Sequence, residues 1–161
     1  MKFRIGLDRF VRWESTTLKI LGLVEIIFAL TLLIPSLFAL YFGEEVLPFL
    51  IPVPFLLGLG TFQYVTSVQS HSFRTVNGLI LVVMAWMLIF AICTLPYIFY
   101  GLGPIDAVFE SVSGVTTTGM SILGDLDNYP SSLLIWRSMT TWIGGMTVVL
   151  IFLYFLPMIG Y

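Results

Sequence analysis

Charge is what this sequence has least of. Seven basic and nine acidic side chains make up 10% of its 161 residues, where a water-soluble domain typically carries about 25%. So little charge excludes a wetted globular shell, and with 58% of residues hydrophobic the solvent for most of the surface is lipid. There is one cysteine, Cys93, and one histidine, His71, which excludes an intrachain disulfide. Cys93 lies deep in an apolar stretch and reads as a small buried hydrophobe. The single histidine also argues against an intramembrane serine protease, which needs a serine and a histidine converging at depth. His71 sits among Ser70, Ser72 and Arg74 in a polar loop, where solvation is its expected fate. No metal-ligand cluster and no nucleotide-binding glycine loop appear. An enzyme is therefore not expected, nor is a cofactor or a nucleic-acid partner.

Long apolar runs are what the chain has instead. Four are long enough to cross a bilayer as helices of about 20 residues: Ile20–Phe42, Val46–Val65, Val76–Tyr100 and Leu133–Tyr161. The first is too long for the core of a signal peptide and has no small-residue cleavage site after it, so it reads as a retained span. Pro48, Pro52 and Pro54 crowd the start of the second run and predict an irregular first turn there. Lys2, Arg4, Arg9, Arg12 and Lys19 precede or open the first run, and Arg74 lies in the 66–75 loop. The opposite loops hold Glu44, Glu45, Asp106, Glu110, Asp125 and Asp127. By the positive-inside rule both termini are cytoplasmic and the protein is a multi-pass one of the cytoplasmic membrane.

Residues 100–132 break the pattern. They are too apolar at their start for a plain loop and too interrupted for another span. Pro104 at a helix start, followed by Ile105, Ala107, Val108 and Val112, predicts a helix of two or three turns ending near Ser113-Gly114. A hydrophilic return follows, and Ser131 or Ser132 is placed to cap the last helix. A half-crossing helix followed by a return as extended chain is a re-entrant loop. Irregular backbone at membrane depth persists only where protein shields it or where it lines water. The expected fold is all-α and integral to the membrane: four transmembrane helices plus one re-entrant pore helix and filter loop. Residues 1–75 form an amino-terminal segment with a two-helix hairpin, and 76–161 a single helix–pore loop–helix unit.

An ion pathway replaces the hydration shell of a cation with protein oxygens. Aligned backbone carbonyls do so where the chain is extended and one residue takes positive φ, which glycine does at little cost. Thr116-Thr117-Thr118-Gly119 supplies that combination, and the carboxyl end of the preceding short helix brings partial negative charge to it. The stretch DAVFESVSGVTTTGMSIL at 106–123, with SSLLIWRSMTTWIGGMTVVLIFLYFLPMIG at 131–160, resembles the first pore unit of the Trk/Ktr/HKT superfamily of potassium transporters, and most closely the TrkH branch. The match is carried by Asp106, Phe109, Glu110, Ser113, Gly114, Thr116 to Gly119, Trp136, Arg137, Ser138, Trp142, Gly144, Gly145, Met146, Leu156 and Pro157. The resemblance implies a pore of four such units around one axis that passes potassium into the cell. It makes Thr116–Gly119 the selectivity filter, with the glycine at 119 favouring potassium over sodium. It also implies paired membrane subunits and a cytoplasmic nucleotide-sensing regulatory ring.

The departure is that members of this family carry four pore units in one chain, while this chain carries one. Conduction then requires four copies in a ring or the remaining units on another chain, unless the sequence is a fragment of a longer protein. A non-conducting subunit that assembles with full-length relatives is the alternative function. For the supporting residues the sequence leaves two readings each. Asp106 and Glu110, one turn apart, either hold the filter by hydrogen bonds or face water. Arg137 either acts at the pore mouth, as a brace or a barrier to cations, or snorkels beside Trp136 and Trp142. Gly144 and Gly145 mark close helix packing or a hinge. Glu25 is a buried functional carboxylate or, as the sequence favours, reaches basic residues at the cytoplasmic interface.

Overall fold

The computed structural model describes residues 2–67, 75–124 and 128–156. The expected positions of His71, Arg74, Asp125, Asp127 and Pro157 lie outside these residues. Among the described residues seven helices run in order: α1 Lys2–Thr31, α2 Leu33–Phe42, α3 Leu47–Leu50, α4 Pro52–Thr66, α5 Thr75–Phe99, α6 Pro104–Val115 and α7 Ser131–Phe155. Among the described residues there is no strand. Among these residues four stretches are long and apolar enough to cross a bilayer: Thr16–Phe42, Leu47–Thr66, Gly78–Phe99 and Ser131–Leu153. These are the four apolar runs of the sequence. The first helix begins well before Ile20, at Lys2, because charge marks where lipid ends but does not end a helix.

Proline explains the breaks. Pro35 cannot donate to Thr31 and its ring crowds that carbonyl, so α1 gives way to α2 at Leu32. The regular pattern resumes at Ser36, whose backbone N–H and hydroxyl both donate to the Leu32 carbonyl at 3.3 and 2.8 Å. Pro48 and Pro52 each sit in the first turn of a helix, where the missing N–H costs least. The irregular first turn of the second span is therefore the short α3, separated from α4 at Ile51.

α1 and α4 form an antiparallel hairpin packed through glycine. A Cβ on Gly22 would lie 2.6 Å from the Gly60 carbonyl oxygen, and one on Gly60 would lie 2.7 Å from that of Gly22. With lipid outside, burial of apolar surface drives little association; close packing and interhelical hydrogen bonds carry it. This contact brings Gln63 to Glu25, which is 2% exposed. The Gln63 amide donates to both carboxyl oxygens at 3.2 and 3.3 Å. Glu25 therefore has its partner across the hairpin. The nearby Lys19 is not that partner, because its Nζ stands 5.0 Å over the Tyr64 ring centroid.

Gln63→Leu is expected to lower hairpin stability. An ordinary polar contact between membrane helices averages only about 0.6 kcal/mol, but here a buried carboxyl loses its donor, which costs about 1–3 kcal/mol. A lower thermal unfolding midpoint in detergent is the result to look for.

The hairpin leans on the rest of the molecule through α1, α2 and α3. Phe49, Tyr97, Leu133 and Trp136 have no exposed surface and meet at the centre of the core. Phe49 stands edge-on to Tyr100 and Trp136, with ring centroids 5.5 and 6.4 Å apart. The Trp136 indole N–H donates to the Cys93 carbonyl at 3.3 Å. These contacts join α3, α5 and α7, and α6 packs against both α5 and α7.

Candidate functional site

α6 is twelve residues long, about 18 Å at 1.5 Å per residue, too short to cross a bilayer. Pro104 opens it and Asp106 lies in its first turn, where a negative charge suits the helix dipole. Its buried side carries Ala107, Glu110, Ser111, Ser113, Gly114 and Val115. Ser111 fixes that side by donating to the Phe90 carbonyl of α5 at 2.8 Å.

The helix ends by folding its own chain back over its last carbonyls. The amide of Thr116 donates to Val112, that of Thr117 to Gly114, and those of Thr118 and Gly119 to Ser113, at 2.9 to 3.4 Å. The Thr116 hydroxyl also donates to Val112 at 2.7 Å and lies 2.8 Å from the Thr118 hydroxyl. All four amides of Thr116–Gly119 are thereby consumed. The carbonyls of Thr116, Thr117 and Thr118 accept no hydrogen bond among the described residues. Thr117, Thr118 and Gly119 are exposed. Gly119 takes φ +79°, as the sequence predicts, and Thr117 takes +58°. Positive φ is rare for a β-branched residue and was not legible from a run of three threonines.

Behind this segment stands a buried brace. Glu110, with no exposed surface, accepts at Oε1 from the Ser121 hydroxyl and the Ile122 amide, both at 2.7 Å. Its Oε2 pairs with Arg137 Nε at 3.1 Å. Arg137 Nη2 then reaches the Gly119 carbonyl at 3.2 Å. The Ser113 hydroxyl donates to the Met120 carbonyl, and the Leu123 amide to Ser121 Oγ at 3.1 Å. Every residue from Gly119 to Leu123 is thus tied to α6, to α7 or to a neighbour in the segment. Arg137 lies with its side chain 22% exposed, engaged inward and not standing free at the surface.

Glycine lets α7 approach. A Cβ on Gly144 would fall 1.8 Å from the Val115 carbonyl oxygen, and one on Gly114 would meet Thr140 Oγ1 at 2.7 Å. Gly145 faces Thr117 Cγ2 at an ordinary 3.7 Å. The structure therefore brings together Glu110, Ser113, Gly114, Thr116–Gly119, Arg137, Gly144 and Gly145. Asp106 stays apart, exposed one turn before Glu110, so the two carboxylates do different things.

Ser121 is the residue that the sequence reading passes over here. It follows Glu110 by eleven residues in non-helical chain, and no periodicity links the two. Capping of α7 also differs from expectation. Its cap position is Pro130, without a side-chain hydrogen bond, and the amides of Ser131 and Ser132 are met instead by Glu44 at 2.7 and 2.8 Å. The sequence offered local serines, but the folded chain places a carboxylate from the turn of the amino-terminal hairpin closer.

Comparison with known proteins follows the same outline. Residues 53–161 match the TrkH family model, described as a cation transport protein. The Trk system potassium uptake protein TrkH of Halomonas elongata is 33% identical over 148 residues, which is 89% of this chain and 31% of that protein. TrkH of Escherichia coli (strain K12) is 33% identical over 147 residues, 88% of this chain and 30% of its own length. TrkG of the same strain is 34% identical over 145 residues, again covering 30% of its length. The chain thus spans about three-tenths of the length of these relatives. With the family model matching well over half of its residues, the chain belongs to the TrkH family of cation transport proteins.

Proposed function

We propose that this chain contributes one helix–pore loop–helix unit to a potassium pathway across the cytoplasmic membrane, with Thr116, Thr117, Thr118 and Gly119 coordinating the ion. The observation that carries the reading is the set of three successive unaccepted carbonyls, Thr116 to Thr118, at the carboxyl end of α6. A helix carboxyl end carries about half an elementary charge of negative sign, and free carbonyls stand in for a hydration shell. Both features favour a cation at the same place. The names of the similar proteins, Trk system potassium uptake proteins, make potassium the ion to test first.

On this reading α6 is the re-entrant pore helix, residues 1–75 are the leading hairpin and residues 76–161 the pore unit. Both termini are cytoplasmic and the Gly43 turn lies outside. Asp106, Glu110, Ser113, Gly114, Arg137, Gly144 and Gly145 support the filter. One such unit leaves its filter face open. The pathway closes only with companion units, from further copies of this chain, from another chain, or from the rest of a longer protein.

The test is Gly119→Ser. A Cβ at Gly119 meets nothing within 4 Å, so the substitution introduces no clash. It does place an L-residue at φ +79°, a strain of about 1–3 kcal/mol that the segment relieves by turning its peptide planes. The potassium-to-sodium permeability ratio of the assembled pathway in proteoliposomes is expected to fall about tenfold, the effect of ~1.4 kcal/mol. An unchanged ratio would remove Thr116–Gly119 from the pathway.

A further inference from the structure

The turn Gly43–Glu45 ties the amino-terminal hairpin to both long helices of the pore unit. Gly43, at φ +69°, ends α2, and the Glu44 amide closes the turn on the Ala39 carbonyl at 2.8 Å. That fixes the direction in which Glu44 leaves the helix. Its two carboxyl oxygens then accept one backbone N–H each, from Ser131 at 2.7 Å and Ser132 at 2.8 Å. The first amides of a helix have no partner within it, and α7 brings no side-chain cap of its own. Glu44 supplies that cap from 87 residues away, with a full negative charge at the positive end of the helix dipole. Beside it the Tyr100 hydroxyl donates to the Glu45 carbonyl at 2.8 Å and lies 3.0 Å from Ser132 Oγ. Phe49, buried against Tyr100 and Trp136, packs beneath.

We propose that Glu44 is a positioning residue for the ion-coordinating segment: it fastens the first turn of α7 and thereby holds Arg137 in register under Gly119 and Glu110. The inference rests on the proposed function of Thr116–Gly119. Ser132 and Arg137 are about 7.5 Å apart along the axis of one helix. Fraying or displacement of its first turn therefore shifts the guanidinium that bridges Glu110 Oε2 and the Gly119 carbonyl. Burial alone pushes the Glu44 carboxyl up, but the hydrogen bonds from Ser132 and Ser131 outweigh it and hold the group below the usual carboxylate range. The titratable groups facing it are Glu45 on the same turn and Tyr100 on α5. A carboxyl lowered in the folded state stabilises fully above the ordinary carboxylate range, and its contribution is lost as pH falls through the lowered value. The fastening therefore holds at neutral pH and releases only in acid.

Glu44→Gln, in the full chain reconstituted in nanodiscs, tests this by hydrogen exchange. Exchange at Ser131–Leu134, corrected for intrinsic rates, is expected to rise about fivefold, as for loss of an N-cap, and to rise also at Ile122. Wild type should approach the variant in acid, while the variant shows no such pH dependence. Glu45→Gln removes the same charge, keeps its carbonyl for Tyr100, and should exchange as wild type. In proteoliposomes the potassium-to-sodium ratio of Glu44→Gln is expected to fall with these changes. Unchanged exchange at Ser131–Leu134 overturns the proposal, and so does faster exchange there with Ile122 and the permeability ratio unmoved. If wild-type protein assembled with its companion units passes no potassium, the proposed function fails, and exchange at Ile122 alone upholds or overturns the positioning role.

Discussion

Replacing Gly144 by alanine is expected to destroy the packing of α7 on α6, while the same replacement one residue later leaves stability nearly unchanged. The new Cβ at 144 would lie 1.8 Å from the Val115 carbonyl oxygen, 2.7 Å from its carbon and 3.0 Å from its Cα. Overpacking usually costs about 1–3 kcal/mol because side chains give way. Here both sides of the contact are helix backbone, so relief requires the whole of α7 to move off α6, and the cost lies above ~3 kcal/mol. Val115 immediately precedes Thr116, and such a shift also displaces the carbonyls assigned to the ion. At Gly145 the nearest atom is Thr117 Cγ2 at 3.7 Å, an ordinary contact, so alanine there should change stability by no more than about 0.5 kcal/mol. Thermal unfolding of the two variants in detergent, read by size-exclusion of the folded fraction, compares one chemical change at adjacent positions. Equal midpoints for Gly144→Ala and wild type would mean that α6 and α7 are not in this contact.

The Gly144-Gly145 pair also shows what the sequence makes legible and what it does not. Two adjacent glycines in an apolar run signal a close helix approach, but which one bears the contact depends on how α7 is rotated against α6, and no local pattern encodes that rotation. The four spans, the short helix after Pro104 and the glycine at 119 were readable because each rests on local chemistry: run length, proline geometry, freedom of φ. Partners distant in sequence were not. Glu25 meets Gln63 38 residues on, and the α7 amides meet Glu44 87 residues back. In both cases the sequence favoured a nearer group of suitable charge or polarity, and the folded chain brings a distant one closer. The positive φ of Thr117 has a local origin that residue preference conceals. Four amides turn back onto the last carbonyls of α6, and this closure of the helix end overrides the preference of a β-branched residue for extended backbone.

The brace yields the sharpest separation of stability from selectivity. Arg137→Met removes the only salt bridge among the described residues and leaves the Glu110 carboxylate, with no exposed surface, without its cation. Stranding a buried charge typically costs about 3–5 kcal/mol. The arginine side chain is 22% exposed, so water reaches the site, and the lower end of that range is expected. Glu110→Gln should cost less, about 1–2 kcal/mol. Its carbonyl still accepts from Ser121 and Ile122, and the freed guanidinium turns toward solvent. Combining the two is expected to be less damaging than Arg137→Met alone, because no buried charge remains; the coupling should be about 1–3 kcal/mol. Additive shifts of the unfolding midpoint would show that the two side chains do not act as a pair. Selectivity should not recover with stability. The Gly119 carbonyl loses its hydrogen bond from Arg137 in the single and the double variant alike. Both should therefore show the same fall in the potassium-to-sodium ratio, although only one of them is strongly destabilised. A double variant that regained the wild-type ratio would place the role of Arg137 in the fold and not at the ion.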